Sequence, residues 1–251
     1  MEKKTYKESP SQIGRIMTNP RSKSEVLSET CKTRVEEKFI EDQFGVRKSF
    51  WSKETNKGLE CEIESINFFV KEYDLFGAKK NEIRFENESF VGTPDLVFNG
   101  VVYDIKTSWS LFTYPMFDEP AVIPTKDYVF QLQAYLDLTG LKKAQLVYVL
   151  TNATEEMIQD EVYRRCLRSK VFDKAPEVAA MLEDEIDKQV RKEMTFDHVD
   201  SALRVKTFDI EYDPAIITEI KARIELCEEY YNALLERIAN QINTKTNGTI
   251  N

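Results

Sequence analysis

Two aspartates and a lysine flank a short turn near the middle of the chain. Asp95 is followed by three apolar residues and then by the dipeptide Asn99-Gly100. Asp104 and Lys106 lie in the apolar run that comes next. Asn-Gly between two apolar runs is typical of a two-residue β-hairpin turn. Carboxylates that a hairpin brings together favour Mg²⁺ or Mn²⁺, which prefer oxygen ligands, so these residues indicate a divalent-metal site with a lysine beside it.

The turn also predicts which residues face each other across the hairpin. If Asn99-Gly100 is the loop, Asp95 stands opposite Asp104, with Cβ atoms about 4.5–5.5 Å apart. Side chains alternate along a strand, so Lys106 shares the face of Asp104. The other face carries apolar residues suited to a core, namely Leu96, Phe98, Val101, Tyr103 and Ile105.

This pairing has two interpretations. Opposed like charges destabilise a sheet, and a bridging divalent ion is the simplest compensation. Such an ion lowers the pKa of a bound water and stabilises charge on a phosphate, and Lys106 would orient the resulting hydroxide. The alternative is an ordinary surface hairpin with an aspartate at each edge and a salt bridge to the lysine.

Helix periodicity adds Glu62 to the candidate site. On a helix predicted over Thr55–Tyr73, Glu62 shares a stripe with Ile66 and Phe69, whereas Glu60 and Glu64 lie on the polar side. A carboxylate on a buried stripe is costly unless it is paired or bound to metal. Metal binding is therefore one interpretation of Glu62, and pairing with an arginine such as Arg84 is the other.

Gln131 lies on a helix predicted over Asp127–Thr139 that is apolar nearly all round and should be buried. A buried glutamine needs hydrogen-bond partners, and we expect Gln131 to contact Lys106 or the attacking water. Gln133 points elsewhere on the helix. Its role stays open, and an amide bonded to nearby backbone is one of the possibilities.

The whole pattern predicts an α/β fold in one domain over residues 1–243, with a mixed β-sheet flanked by helices. A helical segment over 9–53, a helical insertion near 154–200 broken at Pro176, and a disordered tail over 244–251 complete it. Further helices are expected over Ser28–Phe44, capped by Ser28 or Thr30 and ended by Gly45, and from Asp213 and Pro214 to about Ala239. Strands are expected over Ile83–Phe85, Asp95–Phe98, Val101–Lys106, Ala144–Leu150 and Val205–Tyr212, and loop over 109–126.

Composition excludes several classes of protein. The 251 residues are 41% hydrophobic, and we expect one sizeable core, no membrane span, no secretory signal and a cytoplasmic location. His198 is the only histidine, which excludes Ser-His-Asp and Cys-His triads and multi-histidine metal sites. The four cysteines form no CxxC pair, and we expect free thiols at Cys31, Cys61, Cys166 and Cys227.

Charge is unevenly distributed along the chain. The net charge of −9 argues against a protein that simply coats DNA. Residues 1–53 nevertheless carry 12 Lys or Arg against 8 Asp or Glu, a net of +4, while the remainder carries −13. The basic segment, in which Ser9 or Ser11 would cap a short helix, either contacts phosphates or reflects the ordinary variation of solvated surfaces.

Together these residues resemble the PD-(D/E)xK nuclease superfamily. The matching stretches are Gly58-Leu59-Glu60-Cys61-Glu62, Gly92-Thr93-Pro94-Asp95, Asp104-Ile105-Lys106 and Gln131-Leu132-Gln133-Ala134-Tyr135. Four motifs in this order are most similar to lambda-exonuclease-like (YqaJ-type) phage recombination nucleases, and the QxxxY spacing is shared with RecB-type nuclease domains. The opening Ser9–Gly14 is similar to the start of the N-terminal helix in that group, close to DNA.

The resemblance implies a restriction-endonuclease-like core and a role for each matching residue. Asp95, Asp104 and the Ile105 carbonyl would bind Mg²⁺ or Mn²⁺, with Glu62 in the first or second shell. Lys106 would stabilise the nucleophile and Gln131 would support it.

The implied reaction is phosphodiester hydrolysis by a metal-activated water. The likeness further implies 5′-to-3′ resection of duplex DNA ends, a phage- or prophage-encoded role in recombination or repair, a single-strand annealing protein as partner, and a ring-shaped homotrimer. The acidic stretch 154–200 is longer than a minimal nuclease core needs, which puts the oligomer and the polarity of digestion in doubt. An endonuclease with the same site, and a non-catalytic DNA-binding adaptor with this fold, are the alternatives.

Overall fold

The strand that carries Asp104 and Lys106 lies inside a mixed β-sheet. A computed structural model describes residues 5–49, 52–119, 122–123 and 125–248, with side chains up to residue 244. The strands are β1 Phe85–Glu86, β2 Val91–Gly92, β3 Leu96–Phe98, β4 Val101–Thr107, β5 Lys143–Val149 and β6 Val205–Glu211. The helices are α1 Ile13–Ile16, α2 Glu29–Phe44, α3 Lys53–Glu60, α4 Glu62–Glu72, α5 Lys126–Thr139, α6 Glu155–Arg168, α7 Pro176–Met194 and α8 Pro214–Gly248.

The hairpin β3–β4 has the predicted register. Leu96 pairs with Tyr103, and Phe98 pairs with Val101. Asn99 and Gly100 both have positive φ, at 48° and 78°, as a type I′ turn requires. This local chemistry explains why the register could be predicted from the residues alone.

The four main strands lie in the order β3-β4-β5-β6. Strands β4 and β5 are parallel and are joined through α5, while the other two pairs are antiparallel. The predicted mixed sheet flanked by helices is therefore confirmed. Because α5 is the crossover between two neighbouring strands, it lies against β4 and β5.

The two faces of the sheet bury different apolar clusters. Helix α4 packs Ile66 and Phe69 against a face formed by side chains that include Leu96, Tyr103, Ile105 and Val147. Helix α5 packs Leu132 and Leu136 against the opposite face, with Val102, Leu146 and Phe208 among its residues. Asp104 and Lys106 alternate with the first set, so they point to the α5 side.

The first and last long helices pack against each other at one end of the molecule. Ser28 accepts a hydrogen bond from the Cys31 backbone N–H and caps α2, while Gly45 ends it in the left-handed conformation. The buried Cys31 and Cys227 place their sulfur atoms 3.5 Å apart, and all four cysteines are free. Asp213 accepts from the Ala215 backbone N–H at the start of α8, as a cap should.

The structure corrects four expectations. The helix predicted over 55–73 is two helices, because backbone geometry is distorted at Cys61. A small hairpin, β1–β2, was not predicted and replaces the strand expected over 83–85. Helix α8 continues to Gly248, so residues 244–248 of the predicted disordered tail are helical, since extending a formed helix is far easier than starting one. The last three residues lie outside the described ranges.

The fourth correction concerns the N-terminal segment. Residues Pro10–Gln12 form a 3-10 turn that leads into α1, and no side-chain hydrogen bond from Ser9 caps it. Its hydroxyl lies 3.2 Å from that of Ser11 instead.

The acidic stretch forms two antiparallel-packed helices with their own apolar interface. The expected break falls at Pro176, the first residue of α7, and a 3-10 turn over Val171–Asp173 separates α6 from α7. Val162 and Val190 belong to the buried cluster between them. Within the described ranges, no helix is both long enough and apolar enough to cross a lipid bilayer.

Gln133 fastens α5 to the connection between β6 and α8. Its side-chain Nε2 donates to the Glu211 carbonyl at 2.7 Å, and its Oε1 accepts from the Asp213 backbone N–H at 2.8 Å. The residue is 2% exposed. Of the possibilities left open for Gln133, the amide bonded to backbone is the one observed.

Replacement of Gln133 by leucine should destabilise the fold. The change removes two hydrogen bonds that the buried Gln133 side chain makes, which costs about 1–3 kcal/mol of unfolding free energy. Urea unfolding followed by circular dichroism measures this loss. Gln145→Leu is the matched control because Gln145 bonds only the exposed side chain of Asp209. Equal losses of unfolding free energy in the two variants would contradict the role of Gln133 in fastening α5 to the β6–α8 connection.

Candidate active site

Asp104 lies at the centre of the candidate site. Its side chain is 2% exposed, and its Oδ1 accepts a hydrogen bond from Gln131 Nε2 at 2.7 Å. Its Oδ2 lies 2.8 Å from Lys106 Nζ, and the ammonium pairs with this oxygen. Apart from Lys106, this buried oxygen has no partner among the described residues.

Lys106 is held as a cation between three groups. Besides Asp104, its Nζ donates to Gln131 Oε1 over a long 3.4 Å and lies 4.9 Å above the centre of the Tyr128 ring. Burial lowers the pKa of Lys106, but the Asp104 carboxylate outweighs burial and the net shift is upward. A protonated lysine cannot accept a proton, so this side chain is suited to holding an anion.

Asp95 immediately precedes β3 and reaches the site from there. Its Oδ2 accepts from the Ile105 backbone N–H at 2.6 Å, and its own carbonyl accepts from the Asn81 backbone N–H at 2.8 Å. Burial and, to a smaller extent, the charge of Asp104 together raise the pKa of Asp95 to about 7. Asp104 is thus close enough to oppose the ionisation of Asp95, as the predicted register required.

Glu62 lies near Asp95 and Asp104 but does not converge with them into one group of three carboxylates. It is the first residue of α4, its side chain is 27% exposed, and its Oε2 lies 2.5 Å from Lys80 Nζ. Glu60 and Glu64 are exposed, so helix phase distinguished the three correctly. The alternative interpretation was pairing with an arginine such as Arg84, and the structure shows such an ion pair with Lys80 in place of an arginine.

Asp95 and Asp104 are the residues of this site that could hold a divalent ion. Among the described residues, no three histidine, cysteine or acidic side chains converge into a metal-binding group. Asp95 and Asp104 do approach each other, and Lys106 is the one partner of Asp104 Oδ2 among the described residues, so this oxygen keeps a lone pair for a metal ion. Two carboxylates suit a hard ion that completes its coordination with a backbone carbonyl and water. The pair therefore fits Mg²⁺ or Mn²⁺, whereas Glu62 must leave Lys80 to join it.

Tyr135 and Gly92 set the approach of the segment that precedes Asp95. The Tyr135 hydroxyl donates to the Thr93 carbonyl at 3.2 Å. A Cβ atom on Gly92 would lie 2.8 Å from Pro10 Cδ and 3.3 Å from the Tyr135 ring. Only glycine allows this contact, which explains why glycine precedes Thr93-Pro94-Asp95.

A broad cleft opens beside this segment and is rich in cations. Its volume is about 650 Å³, and Gly92 and Thr93 form its inner border. Seven basic residues and three glutamates line it, together with Ser9, Ser11 and Gln12. The basic residues are Lys7, Arg15, Arg34, Lys38, Arg47, Lys48 and Arg84. The basic N-terminal segment thus contributes to a positively charged cleft two residues from Asp95.

The wall of the cleft rests on a buried ion pair. Arg34 donates from Nε and Nη2 to the two carboxylate oxygens of Glu8 at 3.0 and 2.8 Å, and both side chains are almost fully buried. A bidentate pair of this kind fixes geometry as well as charge. It joins α2 to the segment that carries Ser9.

Three contributors were missed by the sequence analysis. Asn81 holds the backbone of Asp95, and Lys80 pairs with Glu62. Lys57 is fully buried, and its Nζ donates to the carbonyls of Ser108 and Trp109 at 2.9 and 3.3 Å, just beyond the end of β4. Helix phase could have found Lys57, because Cys61 follows it by four residues and is buried, whereas the partners of Lys80 and Asn81 depend on tertiary contacts.

Two solved proteins have the same fold over almost the whole chain. A phage related exonuclease from Haemophilus somnus 129PT aligns with a TM-score of 0.70 and 23% identity, over 94% of this chain and 97% of that chain. An alkaline exonuclease from Laribacter hongkongensis (LHK-Exo) aligns with a TM-score of 0.63 and 14% identity, over 95% and 94%. That exonuclease has also been solved in complex with dAMP.

These likenesses show the fold and are consistent with the resemblance to lambda-exonuclease-like nucleases. No protein-family model matches the chain, and no curated protein matches it significantly.

Stability should depend on the protonation of Lys57. Burial lowers its pKa from 10.5 to about 8, so between these values the unfolded chain binds more protons than the folded one. Unfolding free energy contributed by Lys57 therefore increases with pH across this window, by about 2 kcal/mol between pH 7.5 and 10. Urea unfolding of wild type and Lys57→Met at several pH values measures it. The exposed Lys143→Met should show no such dependence, and a flat difference for Lys57→Met would refute the prediction.

Asp95→Asn should make the metal-free protein more stable. The amide oxygen still accepts from the Ile105 N–H, while the charge opposed to Asp104 is removed. The folded pKa of Asp95 is raised, so its ionisation costs stability above pH 7, and we expect a gain of about 1–2 kcal/mol at pH 8 in EDTA that disappears below pH 4. Thermal and urea unfolding measure the gain. Asp209→Asn, on the exposed face of β6, is the control, and a destabilised Asp95→Asn would contradict the repulsion.

Proposed function

We propose that this protein is a divalent-metal-dependent nuclease that hydrolyses phosphodiester bonds of DNA. The observation that carries the proposal is the constellation around Asp104. A buried carboxylate, a second carboxylate and a charged lysine converge on one face of the sheet. The fold shared with two exonucleases supports the same reaction class.

Each side chain has a separable role in this reaction. Asp95, Asp104 and the Ile105 carbonyl would hold Mg²⁺ or Mn²⁺, which supplies an activated water and compensates charge on the phosphate. Lys106 holds the attacking hydroxide or a phosphate oxygen through its ammonium group. Gln131 sets the position of both Asp104 and Lys106, since its amide donates to one and accepts from the other.

The basic cleft supports nucleic acid as the substrate. Arg47 and Arg84 are exposed on its rim and form no salt bridge within the described residues. Such arginines are suited to phosphate oxygens, and the protein can bind a polyanion there despite its net negative charge. The cleft borders Thr93, so a strand bound in it passes beside Asp95.

Exonuclease action on duplex ends is the finer form of the proposal. It is supported by the motifs and by the names of the two structural neighbours. By the same likeness we propose a role in phage-type recombination or repair, with a homo-oligomer and a single-strand annealing protein as partners.

The decisive experiment compares linear duplex DNA with covalently closed circular DNA. We expect Mg²⁺ or Mn²⁺ to support release of nucleotides from linear DNA, EDTA to abolish it, and closed circles to survive. Asp104→Asn should lower the rate by more than about a hundredfold, because it removes a metal ligand. Asp209→Asn keeps the wild-type rate and serves as the matched control.

Two results would replace the proposal. Cutting of closed circles would identify an endonuclease that uses the same site. Failure of the wild type to hydrolyse DNA or RNA with either metal, together with retained DNA binding, would identify a non-catalytic adaptor.

A further inference from the structure

Two consecutive residues join the segments that carry Glu62 and Asp95. Lys80 Nζ lies 2.5 Å from Glu62 Oε2. The next residue, Asn81, donates its backbone N–H to the Asp95 carbonyl at 2.8 Å and its side-chain amide to the Pro94 carbonyl at 3.1 Å. The backbone at Asp95 thus holds Asn81 in place, and Asn81 holds Lys80 beside Glu62.

The Lys80–Glu62 pair differs from the structural ion pair of the cleft. Its side chains are 37% and 27% exposed, whereas those of Arg34 and Glu8 are 6% and 0% exposed. A pair in contact with water contributes little to stability, and either partner can leave at small cost. Glu62 can therefore exchange Lys80 for another cation without disturbing the fold.

Glu62 also belongs electrostatically to the candidate metal site. Its charge acts on the carboxyl of Asp95, yet it does not converge with Asp95 and Asp104 into a three-ligand group. Lys106 is paired with Asp104. Among the described residues, the cation that pairs with Glu62 is Lys80. Lys79 beside it is exposed and makes no salt bridge there.

We propose that Lys80 is a built-in competitor of the divalent ion for Glu62. The ion must displace the ammonium of Lys80 before Glu62 can turn to Asp95 and Asp104. Lys80 thereby weakens metal binding through one defined contact and keeps Glu62 beside the site until the ion arrives. The inference rests on the proposed metal site and names a residue that regulates its occupancy.

Mn²⁺ binding measured by isothermal titration calorimetry without DNA tests this competition. Lys80→Met should lower the Kd for Mn²⁺ about two- to fivefold, which is the range expected for loss of one partly exposed ion pair. Lys80→Arg retains the cation and should keep the wild-type Kd. Lys79→Met removes the same charge one residue away and should change the Kd much less. In a Glu62→Gln background, Lys80→Met should have no further effect.

The outcomes separate this inference from the proposed function. An unchanged or weaker affinity in Lys80→Met overturns the inference. So does an equal effect of Lys79→Met, which would indicate long-range charge alone, or an effect that persists with Glu62→Gln. In these cases Mn²⁺ still binds the wild type and hydrolysis continues, so the proposed function stands. If the wild type binds no Mn²⁺, the metal site and the inference both fall. Thermal unfolding of every variant verifies that each remains folded.

Discussion

Asp104 is a carboxylate on an inner strand of the sheet, 2% exposed, and its neighbours must compensate for its charge. A buried charge is costly unless it is paired and hydrogen-bonded. Lys106 supplies the pairing from two residues further along the same strand, and Gln131 supplies the hydrogen bond from α5. Since α5 is the crossover between β4 and β5, the parallel pairing of these strands brings the glutamine to the correct face.

The charges of Asp95 and Asp104 are only partly neutralised by their neighbours. The rest of the fold must therefore supply the stability that this arrangement costs. Oδ2 of Asp104 is paired with Lys106 alone among the described residues, and Asp95 resists ionisation beside it. The apolar clusters on both faces of the sheet stabilise the strands that hold these groups. Outside the clusters, Asn81 fixes the start of β3 and Lys57 fixes the chain beyond β4. The reactive groups are thus held by contacts that have no part in the chemistry.

Features set by residues close together in the sequence could be predicted, whereas features set by contacts between distant residues could not. The hairpin register depended on two turn residues and on side-chain alternation, both local, and it was correct. Helix period also separated the half-buried Glu62 from the exposed Glu60 and Glu64, although the break at Cys61 was not anticipated and the role of Glu62 in the site stays a prediction. Lys80 as the partner of Glu62 could not be predicted, because it comes from a separate loop and no short sequence pattern encodes that contact. The role of Gln133 was left open for the same reason, because its backbone partners lie far away along the chain.

The type I′ turn makes the site sensitive to chain length more than to residue identity. Asn99-Gly100 joins β3 and β4 with no spare residue, and side-chain orientation has a period of two. Over evolution, many apolar substitutions on either strand would preserve the architecture. A single inserted or deleted codon at this turn would instead rotate one strand by half a period and send Asp95 and Asp104 to opposite sides of the sheet. Divergent relatives are therefore expected to accumulate their length differences elsewhere, such as in the helical insertion between β5 and β6.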